Sequence, residues 1–204
     1  MKIAIIDYEI GNLANVYNAW IRLGQEPIIT RDPKVIKEAA IVELPGVGAI
    51  RDAMANLQKF DLIPLLRDEV KGGKFFMGIC LGMHALFEKD HEGGVYEGLK
   101  FLPGEIVPFT TTLKVPHMGW NELEFTKPHW LQQNLPAHPY VYFVHSYHKT
   151  PVNTPDVIAT ADYDGPVPAI CGKDNVLGIQ FHPEKSGAVG RTLLQNIVTY
   201  VQKG

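Results

Sequence analysis

The sequence predicts an α/β protein: a mostly parallel central sheet flanked by helices, with an antiparallel strand-and-loop extension. Three observations lead there. Short apolar runs alternate with helix-spaced segments over the first ninety residues. Those runs are apolar on both faces, as parallel strands covered by helices must be. From Glu92 to Asp174 the rhythm breaks into Gly- and Pro-rich turns with short strand-like stretches, the signature of antiparallel structure.

Lys2–Asp7 is the first buried strand. Asn12–Leu23 carries Leu13, Val16, Trp20 and Leu23 at helical spacing and stops at Gly24. Glu26–Thr30 is the second strand, after which Asp32-Pro33 opens a helical turn. Ala40–Leu44 is the third, broken by Pro45-Gly46-Val47-Gly48, with helices expected over Ala49–Gln58 and Ile63–Val70. Lys74–Ile79 is the fourth strand and Leu81–Glu88 the helix after it. In the turn-rich region the strand candidates are Glu105–Pro108, Tyr140–Val144, Val157–Thr160 and Val167–Cys171. Tyr140, Tyr142 and Phe143 are expected as core or sheet residues. Asn175–Phe181 is one more buried strand. Ser186–Gln202 is the closing helix, with Val189, Leu193, Leu194, Ile197, Val198 and Val201 on its apolar side. No repeat, low-complexity tract or linker divides the chain, so one domain over residues 1–204 is expected.

Composition excludes several classes. A chain of 204 residues buries about 70% of its unfolded surface and needs no disulfide or metal staple. With 46% hydrophobic residues, 20% charged and a net charge of −3, it has the balance of a soluble globular protein. No basic run suggests a nucleic-acid footprint. No apolar run reaches the 18 or so residues of a spanning helix, and the N-terminal run is too short for a signal peptide core. Two cysteines, Cys80 and Cys171, without a CxxC, imply a reducing, cytoplasmic location. There is no HExxH, no Cys/His metal spacing and no glycine-rich phosphate motif, so no metal and no cofactor are expected. His145 and His148, three apart in a strand-and-turn segment, are expected on opposite faces, and Cys171 as a core thiol.

The chemistry points to Gly78-Ile79-Cys80-Leu81-Gly82, where a strand meets a helix. A nucleophile there rides a tight turn. The helix start lowers the thiol pKa, and the Leu81 N–H is placed for an oxyanion. Alone, this pattern fits a small core thiol between packing glycines equally well. Gln180-Phe181-His182-Pro183-Glu184 lies past the end of another strand. In open α/β sheets, sites form beyond the carboxyl ends of strands. His182 can serve as base and acid for Cys80, and Glu184 can hold its imidazole; by itself the segment also reads as a surface His-Pro turn. Pro45-Gly46-Val47-Gly48 either completes an oxyanion hole, through Val47 or Gly48, or is a plain strand-to-helix turn.

These residues resemble the class I (triad) glutamine amidotransferases along nearly the whole chain. GICLGMH at Gly78–His84 is similar to the family's nucleophile elbow and QFHPEKS at Gln180–Ser186 to its His/Glu element. DYEIGNL at Asp7–Leu13, LPGVGAI at Leu44–Ile50, VPHMGWN at Val115–Asn121 and YFVHSYH at Tyr142–His148 are most like the glutaminase subunits of imidazole glycerol phosphate synthases. The resemblance implies that Cys80 attacks the side-chain amide of L-glutamine. It implies that Gly48, His84, Glu92, Ser146 and Tyr147 hold that substrate. It implies that ammonia passes to a (β/α)8-barrel cyclase subunit in a heterodimer, docked through Asn12, Asn15 and Lys185. The chain departs from the family at Glu9, where glycine is usual, and at His84, where glutamine is usual. A partner-binding module of little or no activity on the same fold, and a cysteine hydrolase of another substrate, are the competing readings.

Overall fold

Strict alternation of apolar side chains decides the two faces of the central sheet. The computed structural model describes residues 1–203. Its first half consists of β1 (Lys2–Ile6), α1 (Leu13–Ile21), β2 (Glu26–Thr30), α2 (Pro33–Glu38), β3 (Ile41–Gly46), α3 (Ile50–Lys59), α4 (Leu62–Lys71), β4 (Phe75–Cys80) and α5 (Leu81–His84). Ile3, Ile5, Ile41, Phe75, Met77 and Ile79 join one core with Val16 and Trp20 of α1. Ala4, Ile6, Val42, Leu44 and Phe76 join the other, with Ile36, Leu57 and Leu66 from α2, α3 and α4. A strand buried on both faces has no solvent side, which is why these runs read as continuously apolar.

The second half consists of β5 (Lys89–Asp90), β6 (Tyr96–Glu97), β7 (Glu105–Pro108), β8 (His117–Glu122), β9 (Glu124–Phe125), β10 (Tyr140–His145), β11 (Tyr147–Thr150), β12 (Val157–Asp162), β13 (Pro166–Lys173), β14 (Val176–Ile179) and α6 (Gly187–Lys203). The main sheet has the order β2-β1-β3-β4-β14-β13-β12-β9. It is parallel from β2 through β14 and antiparallel from β14 to β9. Two small sheets, β10-β8 and β11-β7-β5-β6, form the extension. The mostly parallel sheet with an antiparallel extension is the fold class the sequence predicts. No helix among the described residues is long and apolar enough to cross a membrane.

Helix starts follow local chemistry. Asn12 Oδ1 accepts the Asn15 N–H at 3.4 Å, and Asp32 Oδ1 accepts the Lys34 N–H at 2.8 Å with Pro33 in the first turn. Several segments differ from expectation. The helix expected over Leu81–Glu88 ends at His84. The carbonyl of Ala85 accepts the Leu99 N–H at 2.7 Å, and that of Leu86 accepts those of Phe101 and Leu102 at 2.8 and 3.0 Å, so the returning chain takes the acceptors a longer helix would use. β3 runs on through Pro45 and Gly46, which pair with Ile79 and Cys80. β8 and β11 lack the alternation that would have marked them; β8 carries Gly119 at φ +125° among half-exposed residues.

The tightest contact in the fold lies under the β4–α5 junction. A Cβ on Gly82 would sit 1.8 Å from the Leu44 carbonyl oxygen, and one on Gly78 would sit 2.3 Å from the Gly82 oxygen. Neither obstacle is a flexible side-chain end, so the helix would have to lift off β3. Gly82→Ala is therefore expected to cost more than about 3 kcal/mol, against about 1–2 kcal/mol for Gly73→Ala, whose φ is +89° but whose Cβ would meet open space. Denaturant unfolding of the two variants checks this. Equal, small losses would remove the close approach as the constraint.

Candidate active site

The registers bring three strand ends together. Gly46 pairs with Cys80 across β3 and β4, and Ile79 with Ile179 across β4 and β14. Val47 and Gly48, Cys80 and Leu81, and His182 thus emerge side by side at the carboxyl edge of the sheet, where open α/β sheets form their sites. They line one cleft of about 340 Å³ with His84, Glu92, Pro116, Val144, His145, Ser146 and Tyr147. A larger cavity of about 860 Å³ lies at the amino ends of β3, β4 and β14, around Gly72, Lys74, Asn175 and Tyr200, and holds no cysteine or histidine.

Cys80 has φ +55° and ψ −111°, a region that side chains rarely enter. The strain is held by the glycine contacts on either side and presents the sulfur on a sharp strand-to-helix turn. Because α5 is a single turn, it offers the neighbouring Leu81 N–H rather than a long helix dipole. Burial is the largest influence on the thiol and pushes its pKa up. The His182 hydrogen bond and charge, then the His84 charge and the Leu81 N–H, outweigh it and leave the thiol below its ordinary range.

His182 is fastened from both sides. Its N–H donates to the Tyr142 carbonyl at 3.0 Å, and its carbonyl accepts the Ser186 hydroxyl at 2.6 Å. Ser186 Oγ in turn accepts the Tyr142 N–H at 3.0 Å. In the ring, Nδ1–H donates to Glu184 Oε1 at 2.8 Å, which leaves Nε2 as the buried nitrogen without a partner of good geometry, beside Cys80. Burial pushes the imidazole down, but Cys80 and Glu184 together carry it up to about 9. Cysteine and histidine are thus biased towards a thiolate–imidazolium pair. Nearby, Glu43 is buried against the Trp20 Nε1–H at 2.5 Å, and burial pushes its carboxyl up to about 8.

The remaining expected residues divide into two groups. Gly48, at φ +101° with open space where a Cβ would stand, borders the cleft, and Glu92 Oε2 accepts the Ile50 N–H at 3.0 Å just beyond it. Ser146, the break between β10 and β11, and Tyr147, the first residue of β11, stand on the opposite wall. His84 borders the cleft with both ring nitrogens engaged, Nε2 at 2.8 Å from Gln180 Oε1 and Nδ1 at 3.4 Å from Asp90 Oδ2. Asn12, Asn15 and Lys185 are exposed and outside the cleft. The turn at Glu9, where the family usually has glycine, has φ +66°, and its carboxylate meets Lys59 at 2.9 Å.

Sequence reasoning missed Ser186, Asp90 and Gln180, whose roles rest on contacts between distant segments. It also missed an apolar surface made by Val115, Met118, Trp120 and Tyr140, with Met118 and Trp120 60% and 57% exposed. The Trp120 ring reaches the start of α6 near Gly187, two residues from Lys185. His145 and His148, expected on opposite faces, both pack against Phe109, because Ser146 separates their strands into different sheets.

The site and the fold have counterparts among known proteins. A model of the family glutamine amidotransferase class-I matches residues 4–200. Solved structures of a glutamine amidotransferase, and of PurLQS from Thermotoga maritima, superpose with TM-scores of 0.77 and 0.75 at 17% and 18% identity, each covering 98% of both chains. The chain belongs to the class-I glutamine amidotransferase family. Within it the chain groups with the imidazole glycerol phosphate synthase subunit HisH. It is 48% identical to that of Lactococcus lactis, over 95% of this chain and 96% of that protein, and 41% identical to that of Aquifex aeolicus, over 100% and 99%.

One wall of the cleft has its own titration behaviour. His145 Nδ1–H donates to the Tyr147 carbonyl at 2.8 Å, leaving Nε2 to accept from His117 Nδ1–H at 2.9 Å, while Asn121 donates to His117 Nε2 at 3.2 Å. Both rings are neutral in this chain of bonds, and His117 is stacked between Phe143 and Tyr163. Burial lowers His117 to about 4 and His145 to about 3. With folded values below the unfolded value near 6.5, their contribution to stability is complete above that pH and is lost as pH falls towards 4. Between pH 6 and 4.5, each such group adds a slope of about 1.4 kcal/mol per pH unit. Unfolding measured across that window is expected to be less pH-dependent in His145→Gln than in the natural chain. An unchanged slope would mean that the ring is not held neutral.

Proposed function

We propose that this chain is the glutaminase subunit of an imidazole glycerol phosphate synthase, with Cys80, His182 and Glu184 as a catalytic triad. The observation that carries the reading is the buried, unpartnered Nε2 of His182 beside Cys80, with Nδ1 tied to Glu184. The family relationship supplies L-glutamine as the substrate.

In this reading the Cys80 thiolate adds to the side-chain amide carbon of glutamine. The oxygen that becomes negative is met by the Leu81 N–H and by an amide of Val47 or Gly48. His182 Nε2–H gives its proton to the departing nitrogen, the C–N bond breaks, and ammonia leaves a glutamyl thioester on Cys80. Water then loses a proton to His182 and its oxygen adds to the thioester carbon. The C–S bond breaks, releasing glutamate and restoring the thiolate. Glu184 keeps the ring in one tautomer and steadies its positive charge. Gly48, Glu92, Ser146 and Tyr147 border the space the substrate's α-amino and carboxylate groups would fill.

The partner is a (β/α)8-barrel cyclase subunit that consumes the ammonia in histidine biosynthesis, in the cytoplasm. We place its docking surface on the Asn12–Asn15 turn, Lys185 and the apolar surface around Met118 and Trp120. Large exposed aromatic side chains beside a site are what an interface covers. The whole chain acts as one amidotransferase domain. Gly48, at φ +101°, lets a peptide unit of the Val47–Gly48 turn reorient, so partner binding can complete the oxyanion hole.

Steady-state glutamine hydrolysis with and without the cyclase subunit and its nucleotide ligand tests this. The isolated chain is expected to be slow and the assembled one fast. Cys80→Ser is expected to abolish glutamine-dependent synthesis while ammonia-dependent synthesis persists. His182→Ala is expected to cost about 10²–10⁴-fold, and Glu184→Ala less, since it acts through His182. Slow hydrolysis that no partner accelerates would favour the weakly catalytic binding module. Activity that survives in Cys80→Ser would end the triad reading.

A further inference from the structure

Among the ionisable groups of the cleft, His84 is the one whose two ring nitrogens both face acceptors. Nε2 lies 2.8 Å from Gln180 Oε1, and a carbonyl-type oxygen can only accept. Gln180 is fully buried; its backbone N–H donates to the Ala169 carbonyl at 2.9 Å, and of its side-chain amide only the oxygen meets a partner, His84. Nδ1 lies 3.4 Å from Asp90 Oδ2. Asp90 is 1% exposed, and Oδ2 makes no hydrogen bond, so it meets the His84 ring as a charge contact; Oδ1 accepts the Glu92 N–H at 2.8 Å. Lys89, next in sequence, turns away to Glu105 at 3.5 Å. A buried carboxylate without a cation is costly. His84 is the only basic group paired with Asp90 among the described residues, and a ring that donates from Nε2 while turning Nδ1 towards a buried carboxylate is favoured with both nitrogens protonated.

We propose that His84 is a permanent buried imidazolium, held by Asp90 and Gln180, whose fixed positive charge keeps Cys80 in its thiolate form. The inference rests on Cys80 being the nucleophile. His84 stands four residues after Cys80, across the one-turn helix α5, on the same cleft. It acts as a positioning residue for charge: it moves no proton and reaches the reaction through the sulfur. His182 loses its proton in every turnover, whereas His84 is fenced by two acceptors and keeps its own. The sulfur therefore retains one cation while the other is spent on the leaving group.

The surroundings agree. The groups facing His84 are Cys80 on α5, Asp90 on β5, Gln180 after β14, His145 on β10 and His148 on β11, with Glu92 at the cleft. Burial pushes His84 down, but Asp90, Cys80 and Gln180 outweigh it and leave the ring above its ordinary value. The charge of His84 in turn helps to keep His145 and His148 neutral, after the larger effect of burial. At this position an amide side chain could offer hydrogen bonds but no charge.

The test is the pH profile of Cys80 alkylation by iodoacetamide, a neutral electrophile, in the intact chain. His84→Gln is expected to raise the midpoint by about one pH unit, which is about a tenfold slower reaction at pH 6 and little change on the alkaline plateau. Asp90→Asn is expected to move the midpoint the same way, because the imidazolium loses its anchor. A midpoint unmoved in a folded His84→Gln chain would overturn the proposal. So would a Cys80 that reacts at no pH, which would also remove the triad reading; a shifted profile without glutamine hydrolysis would sink only that reading. Nitrogen NMR on a His182→Gln chain at pH 8 gives an answer that needs no change at His84. One imidazole carrying both protons is expected, and none would contradict the account.

Discussion

The close seat of α5 on β3 is the constraint on which the cleft depends. Gly82 lies against the Leu44 carbonyl with no room for a methyl group, and Gly78 lies against Gly82 in the same way. Gly46 completes the set: a Cβ there would meet the Tyr8 hydroxyl at 2.7 Å and Leu81 Cβ at 2.8 Å. Three glycines on three adjoining segments thus let a strand end, a turn and a helix start stack at backbone distance. Only then can Cys80 be driven to φ +55°, its sulfur lie at the edge shared with β14, and the Val47–Gly48 turn close over it. A short helix packed this tightly stores strain at one residue and recovers the cost in the packed sheet around it.

Electrostatics then separates the two cysteines, which share residue type and burial. Cys171 sits within β13, and burial drives its thiol far above the ordinary range, with the Lys149 charge too weak to reverse it. Lys149 is itself committed to Asp156 at 3.2 Å. Cys80 meets His182, the His84 charge and the Leu81 N–H, and these overcome the same desolvation. Reactivity here is a property of the strand end and not of the side chain. The carboxylate that meets His182 is Glu184, at 2.8 Å, while burial favours the neutral form of Glu43.

Much of this was legible in the sequence because it is local. Lys2–Ile6, Glu26–Thr30 and Glu105–Pro108 announce themselves by runs of apolar or β-branched residues, and the Asn12 and Asp32 caps by their side chains. The three strand-end motifs were legible too, since a nucleophile elbow and a His-x-Glu segment carry their geometry in a few residues. The parts that were not legible depend on contacts between distant segments. The end of α5 at His84 is set by amides of residues 99–102, fifteen or so positions away. The pairing of His84 with Gln180 spans 96 residues, and the Ser186 clasp on Tyr142 spans 44. The expectation for His145 and His148 failed because one residue, Ser146, moves the chain from one small sheet to another, which periodicity cannot register.

The central claim is that fold geometry, and not residue type, makes Cys80 the one nucleophile for glutamine. A diazo-ketone analogue of glutamine, incubated with the chain and followed by peptide mass mapping, tests it most directly. The account predicts a single adduct on the peptide containing Cys80, formed faster than with iodoacetamide at equal concentration and suppressed by L-glutamine. An adduct on Cys171, or labelling of Cys80 that glutamine does not slow, would contradict it.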